Sequence, residues 1–115
     1  MIRRPSVIVT TTPYIPGYKI KRVLGIVYGT SIRTRGLGGR VIAGLEAIVG
    51  GRGMSYLQEL EKAREEALEE LRKRAYSMGA NAVVSVDFET NEILEGFIVI
   101  TAFGTAVYIE PEKES

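Results

Sequence analysis

The chain has 115 residues, which suits a single domain with a buried core, and 15 basic residues nearly balance 14 acidic ones. Balanced charge gives no overall attraction to nucleic acid or to an anionic membrane, so we expect neither as a partner. Cysteine and histidine are both absent, which excludes disulfides, thiolate metal sites and the commonest general base. No stretch approaches the roughly 18 apolar residues of a membrane span, and the N-terminus has no apolar signal region, so we expect a cytoplasmic protein. We also expect no cofactor, and the scarcity of Asn and Gln is typical of a thermostable protein.

The first part of the chain predicts two strands joined by a turn. Residues 7–12 are mostly β-branched and end at Pro13, which cannot donate to a sheet. Pro16 and Gly17 then suit a type II turn, because glycine accepts the positive φ required at its second corner. Residues 19–32 predict a longer strand, in which Gly25 and Gly29 indicate bulges or close approach of another backbone.

Residues 33–40 hold three glycines and three arginines and lead into a predicted short helix at 40–49. Glycines before a helix, with arginines nearby, are one way to bind a phosphate or carboxylate. The hypothetical anion site consists of Arg33, Arg35 and Arg40. The alternative is a connection whose arginines face water or an adjacent subunit.

Residues 55–78 predict one long helix, the clearest element in the chain. Ser55 and Gln58 form a capping-box pattern, and Gly79 suits the left-handed residue that closes a helix. The charged face, including Glu70 and Arg74 four residues apart, is most simply exposed to solvent. Apolar residues recur at spacings of three and four and predict the buried face: Leu57, Leu60, Ala63, Ala67, Leu71, Ala75 and Met78.

Two more strands are predicted at 83–89 and 97–109, with a turn at 90–96. Asp87 and Glu89 fall on one side of the first of these strands. They are an acid/base pair or a site for a hard cation in one interpretation, and ordinary exposed polar residues in the other. The last strand is apolar on both faces. We expect its Phe97, Val99, Phe103, Val107 and Ile109 to face the helix, which leaves Ile98, Ile100, Ala102, Ala106 and Tyr108 on the opposite face.

These elements predict an α+β fold: a small antiparallel sheet packed by one long and one short helix, in the order β-β-α-α-β-β. One domain spans residues 1–115, with loose ends at about 1–5 and 111–115. The second apolar face of the last strand would be exposed in a monomer, and such a surface usually marks an interaction site. The pattern therefore favours association between copies.

A family resemblance rests on several short runs in a fixed order and spacing, at residues 10–13, 25–29, 43–45, 48–52, 63–65, 79–84 and 104–107. Together they resemble the YbjQ-like family, whose members are sometimes labelled heavy-metal-binding domains. The resemblance implies a small subunit that assembles into a ring, typically a homopentamer with its strands forming a barrel-like centre. Many relatives have glycine where this chain has Ser85, and some have Glu where it has Leu57.

Two classes of function follow from these observations. The favoured one is a non-enzymatic, ring-forming homo-oligomer that binds a small ligand or a protein partner. The alternative is a carboxylate-based enzyme, or a weak cation binder, using Asp87 and Glu89. Convergence of Arg52, Tyr56, Asp87 and Glu89 in one pocket would favour the enzyme and would also mark the ligand site.

The donor set also predicts how the chain responds to soft metals. Zinc and cadmium prefer thiolate and imidazole ligands, and this chain offers neither. We expect a calorimetric titration at neutral pH to detect no tight zinc or cadmium binding. Submicromolar affinity for either ion would contradict this expectation.

Overall fold

A computed structural model describes residues 7–34, 54–94 and 96–113, apart from the side chains at 34, 54–56 and 93–94. Its elements are β1 (Ile8–Val9), β2 (Tyr18–Thr34), α1 (Met54–Ser77), β3 (Ala82–Leu94) and β4 (Phe97–Pro111). The α+β class is confirmed. The described order is β-β-α-β-β, and the predicted short helix at 40–49 lies outside the described residues.

The four strands form one sheet in the order β1-β3-β4-β2. β4 pairs antiparallel with both of its neighbours, while β1 runs parallel to β3. The sheet is therefore mixed, and the prediction of a purely antiparallel sheet was wrong. The parallel pairing arises because the long connection between β1 and β3 includes β2 and α1, which allows the chain to return in the same direction.

Two strand boundaries differ from the prediction. The first strand covers only Ile8–Val9, although Thr10 continues to bond with β3 through its backbone. The turn predicted at 90–96 was wrong, since β3 extends to Leu94 before the chain reverses. Polar residues at 90–92 indicated a turn, but they form the exposed end of a strand whose backbone is paired with β4.

The C-terminal end of α1 closes as the sequence predicts. Ala80 N donates to Ala75 O, and Gly79 N donates to Tyr76 O, which together make a Schellman motif. Gly79 has φ +91°, the left-handed conformation that this closure requires. Within the described part of the chain, no helix is long and apolar enough to cross a membrane.

Helix α1 packs on one face of the sheet through small residues. Ala63, Ala67, Leu71 and Ala75 are all fully buried. At Gly29 of β2 the backbone of α1 comes so close that an added Cβ would collide with Ala67 O and Leu71 N. The predicted helix stripe is confirmed at its centre, whereas its ends at Leu57 and Met78 are exposed.

The two faces of β4 are the reverse of the expected assignment, and Val107 and Ile109, expected to face the helix, pack with Ile15 on the opposite side. Ile98, Ile100, Ala102 and Ala106 form the core with the helix, while Phe97 and Phe103 are exposed on the other side. Alternation alone could not decide between two apolar faces. The small residues on the even-numbered face admit the close helix, and the phenylalanines would not fit beneath it.

Backbone irregularities occur where the sequence indicates them and at one further place. Gly25 has φ +127° at a register shift between β2 and β4, and Gly17 closes the predicted turn, in which Tyr18 N donates to Ile15 O. Ser85 has φ +55° at a register shift in β3. This is a left-handed backbone position, which favours glycine over residues that carry a Cβ.

Substitution of Gly79 tests the helix closure. An added Cβ at this position would meet no atom within 4 Å, so any loss of stability comes from the backbone conformation alone. Gly79→Val should lower the free energy of unfolding by about 1 to 2 kcal/mol. Gly79→Asn should lose less, because asparagine tolerates the left-handed region, and chemical denaturation measures both. Equal stability of the valine variant and the parent would contradict the account.

Candidate functional site

Among the described residues no helix covers the sheet face opposite α1, and we call it the outer sheet face. Residues directly paired across an antiparallel sheet project to the same side. Three cross-strand rows therefore form this face: Asp87, Phe103 and Tyr28; Glu89, Thr101 and Thr30; Asn91, Val99 and Ile32. Its other end, at Val84, Val107 and Ile109, is packed against Ile15 of the N-terminal segment.

Asp87 and Glu89 lie side by side at the β3 margin of the outer sheet face, and both are exposed. Asp87 Oδ1 accepts a hydrogen bond of 2.8 Å from Phe88 N. Glu89 Oε1 accepts one of 3.1 Å from Asn91 Nδ2. Both carboxylates therefore have local hydrogen-bond partners, and each keeps oxygen lone pairs open to solvent.

The remaining predicted ligand and anion residues are only partly described. Arg52, Arg35 and Arg40 lie outside the described residues, as does the side chain of Tyr56. The helix that carries Tyr56 packs on the opposite face of the sheet from Asp87 and Glu89. Convergence of these residues in one pocket therefore stays a prediction.

The third predicted anion-binding residue, Arg33, is paired with carboxylates of α1. Its Nη2 lies 2.8 Å from Glu66 Oε2, and its Nε lies 3.6 Å from Glu59 Oε2. Ser31 Oγ donates to the other oxygen of Glu66 at 2.9 Å. Hydrogen bonds from Ser31 and then from Arg33 hold the pKa of Glu66 below its ordinary value.

A second polar group joins α1 to the same edge strand. Thr30 N donates to Glu70 Oε1 at 3.3 Å, and Arg74 Nη1 donates to Tyr28 O at 3.1 Å. Glu70 and Arg74 are themselves paired at 3.1 Å, as their spacing predicts. The helix side chains thus satisfy two backbone groups on the free side of β2, where an edge strand otherwise leaves them open.

The charged face of α1 was predicted to be solvent-exposed, and its contacts with the edge of β2 were not predicted. Glu66, Glu70 and Arg74 recur every four residues, as one stripe beside the apolar stripe. That spacing, together with a serine and an arginine in β2, was the available signal. It did not reveal the partners, because they lie 35 to 46 residues away in the chain.

A groove of about 440 Å³ lies between the last turns of α1 and β2. Its lining combines apolar and cationic side chains: Ile26, Val27, Tyr28, Lys73, Arg74, Ser77 and Met78. The Arg74 guanidinium carbon is 5.5 Å from the centre of the Tyr28 ring, a cation–π distance. We call this the helix-end groove.

The family model described as "YbjQ_1: Putative heavy-metal-binding" matches residues 7–110. The chain belongs to this family. A UPF0145 protein of Bradyrhizobium is 48% identical over 109 residues, covering 95% of this chain and 98% of that protein. One from Methanocella arvoryzae is 45% identical over 107 residues, covering 93% and 89%. The predicted family is therefore confirmed.

A solved structure of a protein of unknown function from the DUF74 family of Pediococcus pentosaceus has a similar fold. The TM-score is 0.64 at 20% identity, with coverage of 90% of this chain and 98% of that one. At that sequence identity the similarity between the two proteins shows a shared fold and nothing further. The described residues of the present chain hold no group of three or more acidic side chains placed to bind a metal ion.

Acidification tests the Glu66 cluster. A carboxyl with a lowered folded pKa adds stability above its unfolded pKa of about 4.3, and this is lost as the pH falls through the folded value. Glu66→Gln should therefore be less stable than the parent at pH 7 and lose less stability on acidification. Glu65→Gln, at the exposed neighbouring position, should follow the parent. Denaturation measured from about pH 7 to pH 3 checks this, and parallel curves for Glu66→Gln and the parent would contradict it.

Proposed function

We propose that the chain is a non-enzymatic, self-associating subunit that forms a ring and binds a small ligand or a protein partner. The observation that supports this most strongly is the apolar outer sheet face. Ile32 is 56% exposed, Phe97 37% and Phe103 38%. These side chains form two apolar groups, Tyr28 with Phe103 and Ile32 with Val99 and Phe97, which the polar row of Glu89, Thr101 and Thr30 separates. Exposed apolar groups of this kind on a sheet face mark a candidate interaction surface.

Two strand edges beside these exposed apolar side chains, one of β2 and one of β3, also support association. β2 is an edge strand of 17 residues, and beyond Val86 the outer side of β3 has no strand partner among the described residues. Because Glu70 and Arg74 occupy backbone groups of β2, contact through the outer side chains fits better than strand addition at those positions.

A ring is the assembly that the family resemblance implies, and the chain offers unlike surfaces from which one could form. β2 and β3 are different edges that run in the same direction, since both are antiparallel to β4. A contact between unlike surfaces is head-to-tail, and it leaves no free surface when it closes into a ring. The number five rests on the family resemblance alone. Action in the cytoplasm and thermostability also remain predictions.

The second class of function, an enzyme or weak cation binder, rests on Asp87 and Glu89. Their side-by-side exposure suits loose binding of a hard cation by oxygen ligands. Within the described residues, however, no nucleophile, base and oxyanion donor converge on them. The non-enzymatic function is therefore the better supported of the two.

Light scattering coupled to size exclusion tests the proposal on two variants. Phe103→Lys places a charge on the outer sheet face opposite Asp87 in register, so a single subunit should tolerate it. In an assembly the same charge would be desolvated, and we expect folded, dissociated subunits. Ile100→Asp should instead unfold the subunit, because Ile100 is 1% exposed and lies in the core under α1.

Tyr76→Lys is the matched control, since Tyr76 is 58% exposed on the helix surface and undergoes a comparable change. It should keep the mass of the parent assembly. A parent protein that is monomeric at micromolar concentration would overturn the proposal. So would a Phe103→Lys variant with the same mass as the parent, with circular dichroism reporting that each variant is folded.

A further inference from the structure

The helix-end groove combines an apolar floor with a cationic rim. Ile26 is 76% exposed and Met78 38%, so both offer surface to a ligand. The groove volume, about 440 Å³, falls within the range of small-molecule sites. The flexible thioether of Met78 suits adaptable packing against an apolar body.

The rim carries a net positive charge. Arg74 is held by Glu70 and by the carbonyl of Tyr28, so its guanidinium is fixed over the Tyr28 ring. Lys73 is exposed, and no ion pair joins its ammonium group to any described residue. The neighbouring Glu69 pairs with Arg72 instead. Lys73 is thus available to a ligand.

The C-terminal end of α1 repels an anion less strongly than a helix end with unpaired carbonyl groups would. Its partial negative charge resides on the last carbonyl groups. Three of these, at Arg74, Ala75 and Tyr76, accept hydrogen bonds from residues 78–80. Lys73 and Arg74 add positive charge at the same place, so the local balance favours a negatively charged group.

We infer that the helix-end groove binds a small monocarboxylate with an apolar body. The carboxylate pairs with Lys73, and Arg74 and the Tyr28 ring flank it. The body lies on Ile26 and Met78. This inference rests on the proposed function, because it names the class of ligand that a non-enzymatic subunit holds. The groove adjoins the outer sheet face at Ile26 and Tyr28, whereas Lys73, Arg74 and Met78 lie on the helix side.

Calorimetric titration with 2-naphthoate tests the inference, with uncharged 2-naphthylmethanol as the comparison probe. The parent should bind naphthoate about twofold to fivefold more tightly than the alcohol, the effect of an ion pair with an exposed lysine. Lys73→Met should lose about the same factor. Lys62→Met removes an equivalent exposed lysine from the same helix and should bind as the parent does.

Three results would overturn the inference: no naphthoate binding at millimolar concentration, equal binding of acid and alcohol, or unchanged binding by Lys73→Met. The mass of each protein separates this failure from that of the proposed function. If the parent protein is assembled but does not bind naphthoate, only the inference about the helix-end groove is contradicted. A monomeric parent that binds naphthoate through Lys73 contradicts the assembly alone.

Discussion

The structure depends on the close contact between α1 and β2 at Gly29. No side chain fits there, because a Cβ would collide with the helix backbone at Ala67 and Leu71. The alanines of the helix stripe extend this contact along the sheet, and only small or aliphatic residues of β4 lie beneath it. The size of the side chains therefore decides which sheet face the helix covers, and the larger phenylalanines of β4 lie on the other face.

Polar side chains reinforce the same contact along the edge of β2. Glu66 takes donors from Ser31 and Arg33, while Glu70 and Arg74 satisfy backbone groups of the free strand. Exposed ion pairs contribute little by themselves, but these bonds also occupy an edge that would otherwise be open to another strand. Because this edge is occupied, we propose that association uses the outer sheet face, where exposed apolar side chains remain.

Local features of the fold were predictable from the sequence, and long-range ones were not. The helix, its closure at Gly79 and the bulge at Gly25 depend on neighbouring residues, so periodicity and glycine placement indicated them. The covered face of β4 was not predictable by alternation, because both faces are apolar. The pairing of Arg33 with Glu59 and Glu66 was missed because it joins distant segments. The side-by-side placement of Asp87 and Glu89 follows from strand periodicity, but no pattern in the sequence indicated the helix-end groove.

We propose that another copy of the chain covers the outer sheet face in solution. Since the chain has no cysteine, a single introduced thiol reports the exposure of one position. Ile32 on that face and Tyr76 on the helix are 56% and 58% exposed in one subunit, so they form a matched pair. The most direct measurement is the rate of maleimide labelling of native Ile32→Cys and Tyr76→Cys at micromolar concentration, each relative to its unfolded rate. Ile32→Cys should react many times more slowly than Tyr76→Cys, and equal rates would contradict the proposed assembly.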